Sequence, residues 1–592
     1  SFANADVDVT TLTSGGTYTL LVEGAISTTT ATNYTFNVQP VTDDLTALTL
    51  NQTTSGTIDH VGQRDLYTFT LSSPATIYFD SLTNNSGLSW SLTGPQGLAV
   101  PSRNFTQSDG FSIGGTYQAV PAGTYTLTVD ATGDLTGPYS FRLWDLAGAS
   151  ALTPGTAVSG TLNPANETDL YRFTVAAGAR VFVDVQAVSG TTPVWRLLDP
   201  YGAPVFGPSF ANADVDVTTL TSGGTYTLLV EGAITATTAT NYTFNVQPVT
   251  DDLAALILNG TTSGTIGHVG QRDFYTFTLA QASLLYFDAL TNDNRLNWSL
   301  TGPRGTEVSA RLFTSSDSFG LSGSPALDLP AGAYVLTIDA AGDFTGAYDV
   351  RLVDLASVAT VAQGAVVSGG LTPPNETDLY RFSAAAGDQL FFDVQAASDS
   401  GNSFVRLLGP HGNVIFTRSN LTDQPTVTLP VAGFYTLMIE GWIANTGTDT
   451  YTFSLTSQGN IPPPPLTGTA LTLGATTTGS LGVVGEQDKF IFTVASPTMV
   501  VFDALTSSPA FNWSLNGPGG ALITNRSFTA TDSAEFANNP ALRLAPGGYT
   551  LTIAGSSTGT YNFRLDDLAG AASLTPGTPV SGTLNPGNET DL

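Results

Sequence analysis

The stretch NETDLYRFTVAAGARVFVDVQ, Asn166 to Gln186, decides how the rest of the chain is read. It opens on Asp-x-aromatic-x-Phe, breaks at an Ala-Gly turn and closes on an apolar run that ends at a second aspartate. Variants of this skeleton return at Asp65, Asp169, Asp273, Asp378 and Asp488, and another begins at Asp591. The successive spacings are 104, 104, 105, 110 and 103 residues. A solenoid coil takes only about 20 to 50 residues, so the period is that of whole domains, each large enough to bury its own core.

Working outward, the repeats alternate between two types. Type A carries LTPG followed by VSG and NETDLYRF, and covers 149–250 and 358–460, with a second half at 1–42 and a first segment at 572–592. Type B carries GQRDLYTF or a variant, then YFD and W-x-L-x-GP, and covers 43–148, 251–357 and 466–571. Residues 1–45 repeat 209–253 except at Ser27/Thr235 and Thr28/Ala236, so the sequence is expected to be a window on a longer polypeptide built from duplicated A–B pairs. Most junctions are short, which implies that neighbouring repeats touch. The exception is the Pro-rich linker 461–465, whose prolines favour a stiff polyproline II segment.

Within each repeat the same strand signals follow one another: RVFVDV or TIYFDSL, then WRLLDPYG or WSLTGPQG, then GTYTLLVEG or GTYTLTVD, then NYTFNVQP or PYSFRLWD. These are short runs rich in β-branched and aromatic residues, bounded by Gly, Pro, Asn and Asp. Seven or eight such runs in about 105 residues predict an all-β chain made of antiparallel β-sandwiches, without disulfides because there is no cysteine. At about 35–40 Å per repeat the array would be an extended rod on the order of 200 Å long.

The type A repeats resemble the bacterial pre-peptidase C-terminal domain. The likeness is carried by VSGTLNPANETDLYRFTVAAGARVFVDV (158–185), WRLLDPYG and SGGTYTLLVEG (222–232), and it returns in 358–460. Type B matches more loosely, with Ser-Pro or Gln-Ala in place of the Ala-Gly turn. The resemblance implies a jelly-roll-like sandwich. It also implies the settings in which such domains occur, as accessory modules of secreted proteases or as tandem arrays in surface proteins, some of which bind calcium or collagen.

Composition narrows the partners. With 48 acidic and 18 basic residues the net charge is −30, so polyanions are repelled and nucleic acid is excluded as a ligand. No run of 18 apolar residues suggests a membrane-spanning helix in this segment. Neither a zinc-protease, serine-hydrolase nor nucleotide fingerprint occurs. The three histidines, His60, His268 and His411, sit in loops, the first two at equivalent places, and read as structural. No enzymatic activity is expected.

One constellation invites a metal: the aspartates 15 residues apart, Asp65/Asp80, Asp169/Asp184, Asp273/Asp288, Asp378/Asp393 and Asp488/Asp503. In a symmetric hairpin these would face each other, and like charges directly opposite call for a cation such as calcium. Alternation argues against it. Tyr171, Phe173 and Val175 read as inward, as do Val181, Val183 and Val185, which puts Asp169 at the rim capping loop amides and Asp184 in solvent or at a contact. Asp6 and Asp8, repeated as Asp214 and Asp216, read as a solvated face. Beside each second aspartate stands a large residue in outward phase, Tyr78, Phe182, Tyr286, Phe391 and Val501, and the four aromatics are candidates for burial against a neighbouring repeat or chain. Formal glycosylation triplets occur at Asn104, Asn166, Asn297, Asn375 and Asn420.

These readings lead to an expected role as a structural segment of an extracellular surface filament or adhesin stalk, partnered by neighbouring domains or copies of itself in a fibre. No cofactor is expected, calcium being the one ion that the aspartate pairs would suit. Two alternatives stand beside it: a calcium-assisted array binding polysaccharide or matrix, and accessory modules of a secreted hydrolase.

Overall fold

A computed structural model describes residues 6–7, 9–108, 117–398, 401–462, 464–532, 536 and 538–592. The chain is all-β, with a few single-turn 3₁₀ helices between strands. It divides into two compact units. The first comprises 1–252 with the segments 266–272 and 340–345; the second comprises 253–265, 273–339 and 346–592.

The first type B repeat shows the plan. Its strands are β1 (Asp44–Ala47), β2 (Thr53–Ile58), β3 (Arg64–Leu71), β4 (Ala75–Ser81), β5 (Leu88–Gly94), β6 (Gly97–Asn104), β7 (Tyr117–Val120), β8 (Gly123–Ala131) and β9 (Gly137–Asp145). One sheet has the order β1-β3-β8-β5-β6 and the other β2-β9-β4-β7. β1 runs parallel to β3, whereas β3–β8, β2–β9 and β4–β9 are antiparallel. Strands β2, β3, β4 and β5 therefore alternate between sheets, and strands adjacent in sequence are mostly not adjacent in a ladder.

Period-2 alternation explains what fills the space between these sheets. From the first sheet Tyr67, Phe69, Trp90, Leu92, Tyr125 and Leu127 are buried, and from the second Ile58, Phe79, Phe141 and Leu143; all belong to one hydrophobic cluster. Phe79 stacks on Trp90 across the two sheets with ring centres 4.2 Å apart, and Phe287 on Trp298 and Phe502 on Trp513 repeat the contact at 4.0 and 4.2 Å. The buried indole N–H groups are satisfied in the same way each time: Trp90 donates to Ser108 Oγ, Trp298 to Ser316 Oγ and Trp513 to Thr531 Oγ1, at 2.6, 2.6 and 2.7 Å.

The type A repeat that follows has β10 (Ser150–Ala151), β11 (Val158–Leu162), β12 (Thr168–Val175), β13 (Ala179–Ser189), β14 (Val194–Leu198), β15 (Pro204–Phe210), β16 (Val215–Leu220), β17 (Gly224–Glu231) and β18 (Thr240–Pro248). The orders are β10-β12-β17-β14-β15 and β11-β18-β13-β16. The DPYG turn between β14 and β15 is held by Asp199, whose Oδ1 accepts the Tyr201 and Ala203 N–H groups at 2.9 and 2.7 Å. Its last residue, Gly202, has φ +84°, a left-handed conformation that glycine adopts without steric cost. The same pairs of sheets return in 251–357 and 466–571, and in 358–460 without the short parallel edge strand, so that both sheets there have four strands.

The flanking fragments behave differently. Residues 16–40, expected to form the late strands of a type A repeat, carry no strand, although 224–248 with almost the same sequence form β17 and β18. Strand formation here is non-local: β17 pairs with β12 and β14, and β18 with β11 and β13. The stretch 1–42 contains no counterparts of those partners, and its apolar residues, such as Leu20, Leu21 and Tyr34, remain exposed. Residues 572–592 also form no strand, for the same reason.

Candidate functional site at the repeat joints

The recurrent Asp-x-aromatic motif serves first inside each repeat. Asp65, Asp169, Asp273, Asp378 and Asp488 each accept the hydroxyl of a tyrosine from the last strand of the repeat, namely Tyr139, Tyr242, Tyr348, Tyr451 and Tyr561. That tyrosine in turn shares a hydrogen bond with the tyrosine two residues after the aspartate: Tyr67–Tyr139 at 2.8 Å, Tyr171–Tyr242 at 2.7 Å, Tyr275–Tyr348 at 2.8 Å and Tyr380–Tyr451 at 2.6 Å. In the last repeat Phe490 takes the inner place, so Tyr561 bonds the aspartate without a second tyrosine. The partner of Asp169 is thus a phenol, not the loop amides expected from alternation. Burial raises the Asp169 and Asp378 carboxyls above the usual range, and burial next to these acids drives the outer phenols far above theirs.

A glycine on the strand that precedes the Asp-x-aromatic strand of each repeat, that of VSG in type A, makes room for this chain of hydroxyls. A Cβ on Gly56, Gly160, Gly264, Gly369 or Gly479 would come within 2.2 to 2.4 Å of a tyrosine hydroxyl. The sequence marks the glycine by its repetition, but the reason for it lies in tyrosines from other strands.

The members of each aspartate pair do not meet. Asp65 is on β3 and Asp80 on β4, Asp169 on β12 and Asp184 on β13, and in every repeat the two strands belong to different sheets. The second aspartates of the type B repeats go instead to the joint with the type A repeat after them. Asp80, Asp288 and Asp503 are fully buried. Thr168 N–H donates to Asp80 Oδ2 and Thr377 N–H to Asp288 Oδ2, both at 3.3 Å.

The Asn, Glu and Thr of the NETD signal have places there. Asn166 Nδ2 donates to the Ser81 carbonyl at 3.3 Å, and Asn588 Nδ2 to the Ala504 carbonyl at 2.8 Å. Glu167 pairs with Arg142 at 3.3 Å, Glu376 with Arg351 at 3.2 Å and Glu589 with Arg564 at 3.9 Å. Thr168 and Thr377 share hydrogen bonds with the Tyr78 and Tyr286 hydroxyls at 2.9 and 2.8 Å. The arginines are the FRL and VRL residues of the last type B strands, and two of them also bind the second aspartate, Arg351 Nε to Asp288 at 2.9 Å and Arg564 to Asp503 at 2.8 Å. Arg142 instead lies over the Trp144 ring, and Asp80, buried with no direct arginine bond, is pushed up to about 7 chiefly by desolvation.

Two of the outward aromatics, Tyr78 and Tyr286, are covered at these joints. Tyr78 is buried with Leu146, Ala149, Leu170, Leu198 and Leu229, and Tyr286 with Leu355, Leu408 and Met438. In the second case Glu440, paired with Arg406 at 3.1 Å, also accepts the Ser318 N–H, while Arg406 donates to the Ser318 carbonyl. Phe182 is buried against Gly270, Val501 is buried, and Phe391 is half-buried. Of the formal glycosylation sites, Asn166 and Asn375 are buried.

The loop histidines also sit at joints. His60 Nε2 lies 3.3 Å from Thr42 Oγ1 and His268 Nε2 3.2 Å from Thr250 Oγ1, while burial lowers the pKa of His411. Asp251, next to the Thr250 that meets His268, pairs with Arg180, and elsewhere Asp184 approaches Asp214 and Asp343. The sequence marks NETD as a sign of repeat type, whereas the FRL arginines stand inside last-strand runs such as PYSFRLWD with no role attached. That they clasp one another was hidden by the 25 residues between Arg142 and Glu167. A usable signal exists nonetheless: the arginine appears in type B last strands and is replaced by Asn245 and Ser454 in type A.

Among the described residues no helix is long and apolar enough to cross a membrane. No family model matches the chain, and no curated protein matches it. Among solved structures it is similar to the pre-peptidase C-terminal domain of collagenase from Bacillus anthracis, at 23% identity over 18% of this chain and 99% of that domain, with a TM-score of 0.14. It is also similar to the CUB1-EGF-CUB2 domains of human MASP-1/3 and of rat MASP-1, each at 9% identity and a TM-score of 0.12, covering 33% and 35% of this chain and 99% and 100% of those structures.

Proposed function

We propose that the chain is a load-bearing run of pre-peptidase C-terminal-like β-sandwich repeats, a segment of an extracellular fibre or adhesin stalk whose partners are its own neighbouring repeats or further copies of itself. The observation that carries this reading is the recurrence of one joint, at Asp80 with Thr168, at Asp288 with Thr377, and at Asp503, whose partner Arg564 donates to the Thr590 carbonyl. In each, an arginine, a buried aspartate and the NETD segment are brought together. A joint that buries an aromatic and fixes a backbone N–H resists bending, as a stalk requires, whereas a flexible linker would leave those groups to water. One ion pair joins repeats that are not consecutive, Arg543 with Asp328, but both are well exposed and such a pair is worth no more than about 1 kcal/mol.

The test is small-angle scattering of residues 43–571. An elongated particle on the order of 200 Å long is expected; a compact particle would overturn the load-bearing reading. The alternative of a calcium-assisted array for polysaccharide or matrix draws on one observation, the acidic cluster of Asp184, Asp214 and Asp343.

A further inference from the structure

Three carboxylates far apart in the sequence converge within the first compact unit. Asp184 lies on β13, Asp214 directly precedes β16, and Asp343 stands in the segment 340–345 of the same unit. Each offers a carboxylate oxygen, and the three oxygens lie within 4.8 Å of one another. The cluster is built rather than accidental. Val185 N–H donates to Asp214 Oδ1 at 2.9 Å, which ties Asp214 to the residue next to Asp184, and Gln186 Nε2 donates to Asp184 Oδ2 at 2.9 Å.

Asp184 itself is 3% exposed, and its Oδ1 is buried without a hydrogen-bond partner. Leaving a buried charged acceptor unsatisfied is destabilising, and the two further carboxylates add repulsion. Burial first, then Asp343 and Asp214, holds the Asp184 carboxyl above its usual range. No arginine, lysine or histidine forms an ion pair with any of the three among the described residues. The cluster therefore lacks the positive charge that the acids at the type B to type A joints receive from Arg351 and Arg564.

We infer that Asp184, Asp214 and Asp343 bind a hard divalent cation, calcium in preference to magnesium. An all-oxygen set suits such an ion. Calcium holds oxygens at 2.3–2.6 Å, so two ligands on opposite sides of it are about 5 Å apart, and its 6–8 positions leave room for water beside three carboxylates. Magnesium, at about 2.1 Å, demands a stricter octahedron and gives up its waters reluctantly, so it is seldom held by a set of protein carboxylates alone.

The other repeats supply internal controls. In the second type A repeat the first two parts are kept: Val394 N–H donates to Asp423 Oδ1 at 2.7 Å and Gln395 Nε2 to Asp393 Oδ2 at 3.1 Å. There the Ser454 hydroxyl bonds Asp393 Oδ2 at 3.2 Å, and the type B loop that corresponds to 340–345 carries Ser556 and Ser557 in place of an acid. The first type B repeat has the corresponding acid, Asp134, on an exposed loop outside the cluster.

The inference is independent of the load-bearing reading, and its test does not measure shape. Calcium is titrated calorimetrically into the full chain, into Asp343→Asn and into Asp134→Asn. Saturable uptake by the unaltered chain with Kd below about 1 mM is expected. Asp343→Asn should weaken that uptake at least tenfold, Asp134→Asn should leave it within twofold, and magnesium in place of calcium should bind at least tenfold more weakly. No saturable uptake, or uptake that survives Asp343→Asn, would overturn the site, and equal affinity for magnesium would overturn the preference for calcium.

Discussion

Tyr242 donates its hydroxyl to Asp169 and shares a second hydrogen bond with Tyr171, so two phenols of similar burial have different duties. Removing the outer hydroxyl leaves a half-buried carboxylate without its phenol donor, and hydrogen bonds to charged groups are worth about 1.5–3 kcal/mol. Removing the inner hydroxyl breaks only a bond between neutral groups, worth about 1 kcal/mol, and Phe490 occupies that position in the last repeat. Tyr242→Phe is therefore expected to destabilise residues 149–250 by about 2 kcal/mol, and Tyr171→Phe by no more than about 1 kcal/mol, in urea unfolding. Equal losses would refute the asymmetry. The inward phase of Tyr171 and Phe173 was legible from alternation, and Phe173 does lie in the core with Tyr171 packed against it. The role of Asp169 was not, because its partner stands 73 residues further along the chain.

Single elements were easier to read than their pairing. Runs such as RVFVDV are strands wherever their partners exist, and β13 covers Ala179–Ser189. A hairpin of β12 with β13 would have opposed Asp169 to Asp184, but the chain crosses from one sheet to the other between them. The outward side of β4 follows the same rule: Tyr78 and Asp80 were legible as residues in outward phase, but what covers them comes from Thr168 and Glu167 on the next repeat.

That environment gives the first joint a pH dependence. The Asp80 carboxyl is pushed up to about 7 by burial, against the pull of Arg142 and the Thr168 hydrogen bonds and with the push of Glu167. Its folded value lies above its unfolded one, so the folded joint binds the proton more tightly. Stability on this account is greatest below about pH 4 and is lost as pH rises through about 7. Asp80→Asn, which keeps an acceptor for Thr168 N–H without the charge, should stabilise residues 43–250 at pH 8 by about 2–4 kcal/mol, and the gain should vanish near pH 4. Thermal unfolding of both forms at the two pH values checks this, and a variant less stable at pH 8 would contradict it.

For the molecule as a whole, the consequence of such joints is that repeats should not melt independently. Tyr78 is fully buried, and the leucines around it, Leu170, Leu198 and Leu229, belong to the following repeat, so unfolding of either repeat strips the cover from the other. Truncating a buried aromatic to alanine costs about 3–5 kcal/mol, and at this position much of that loss falls on the coupling rather than on either core. The core of the first repeat, built around Phe79 and Trp90, does not include Tyr78. Residues 43–250 are therefore expected to unfold in a single calorimetric transition that splits into two on Tyr78→Ala, with the higher transition close to that of 149–250 alone. Two transitions in the unaltered segment would mean that the joint carries little coupling. A stalk made from it would then yield one repeat at a time under load instead of sharing the load between them.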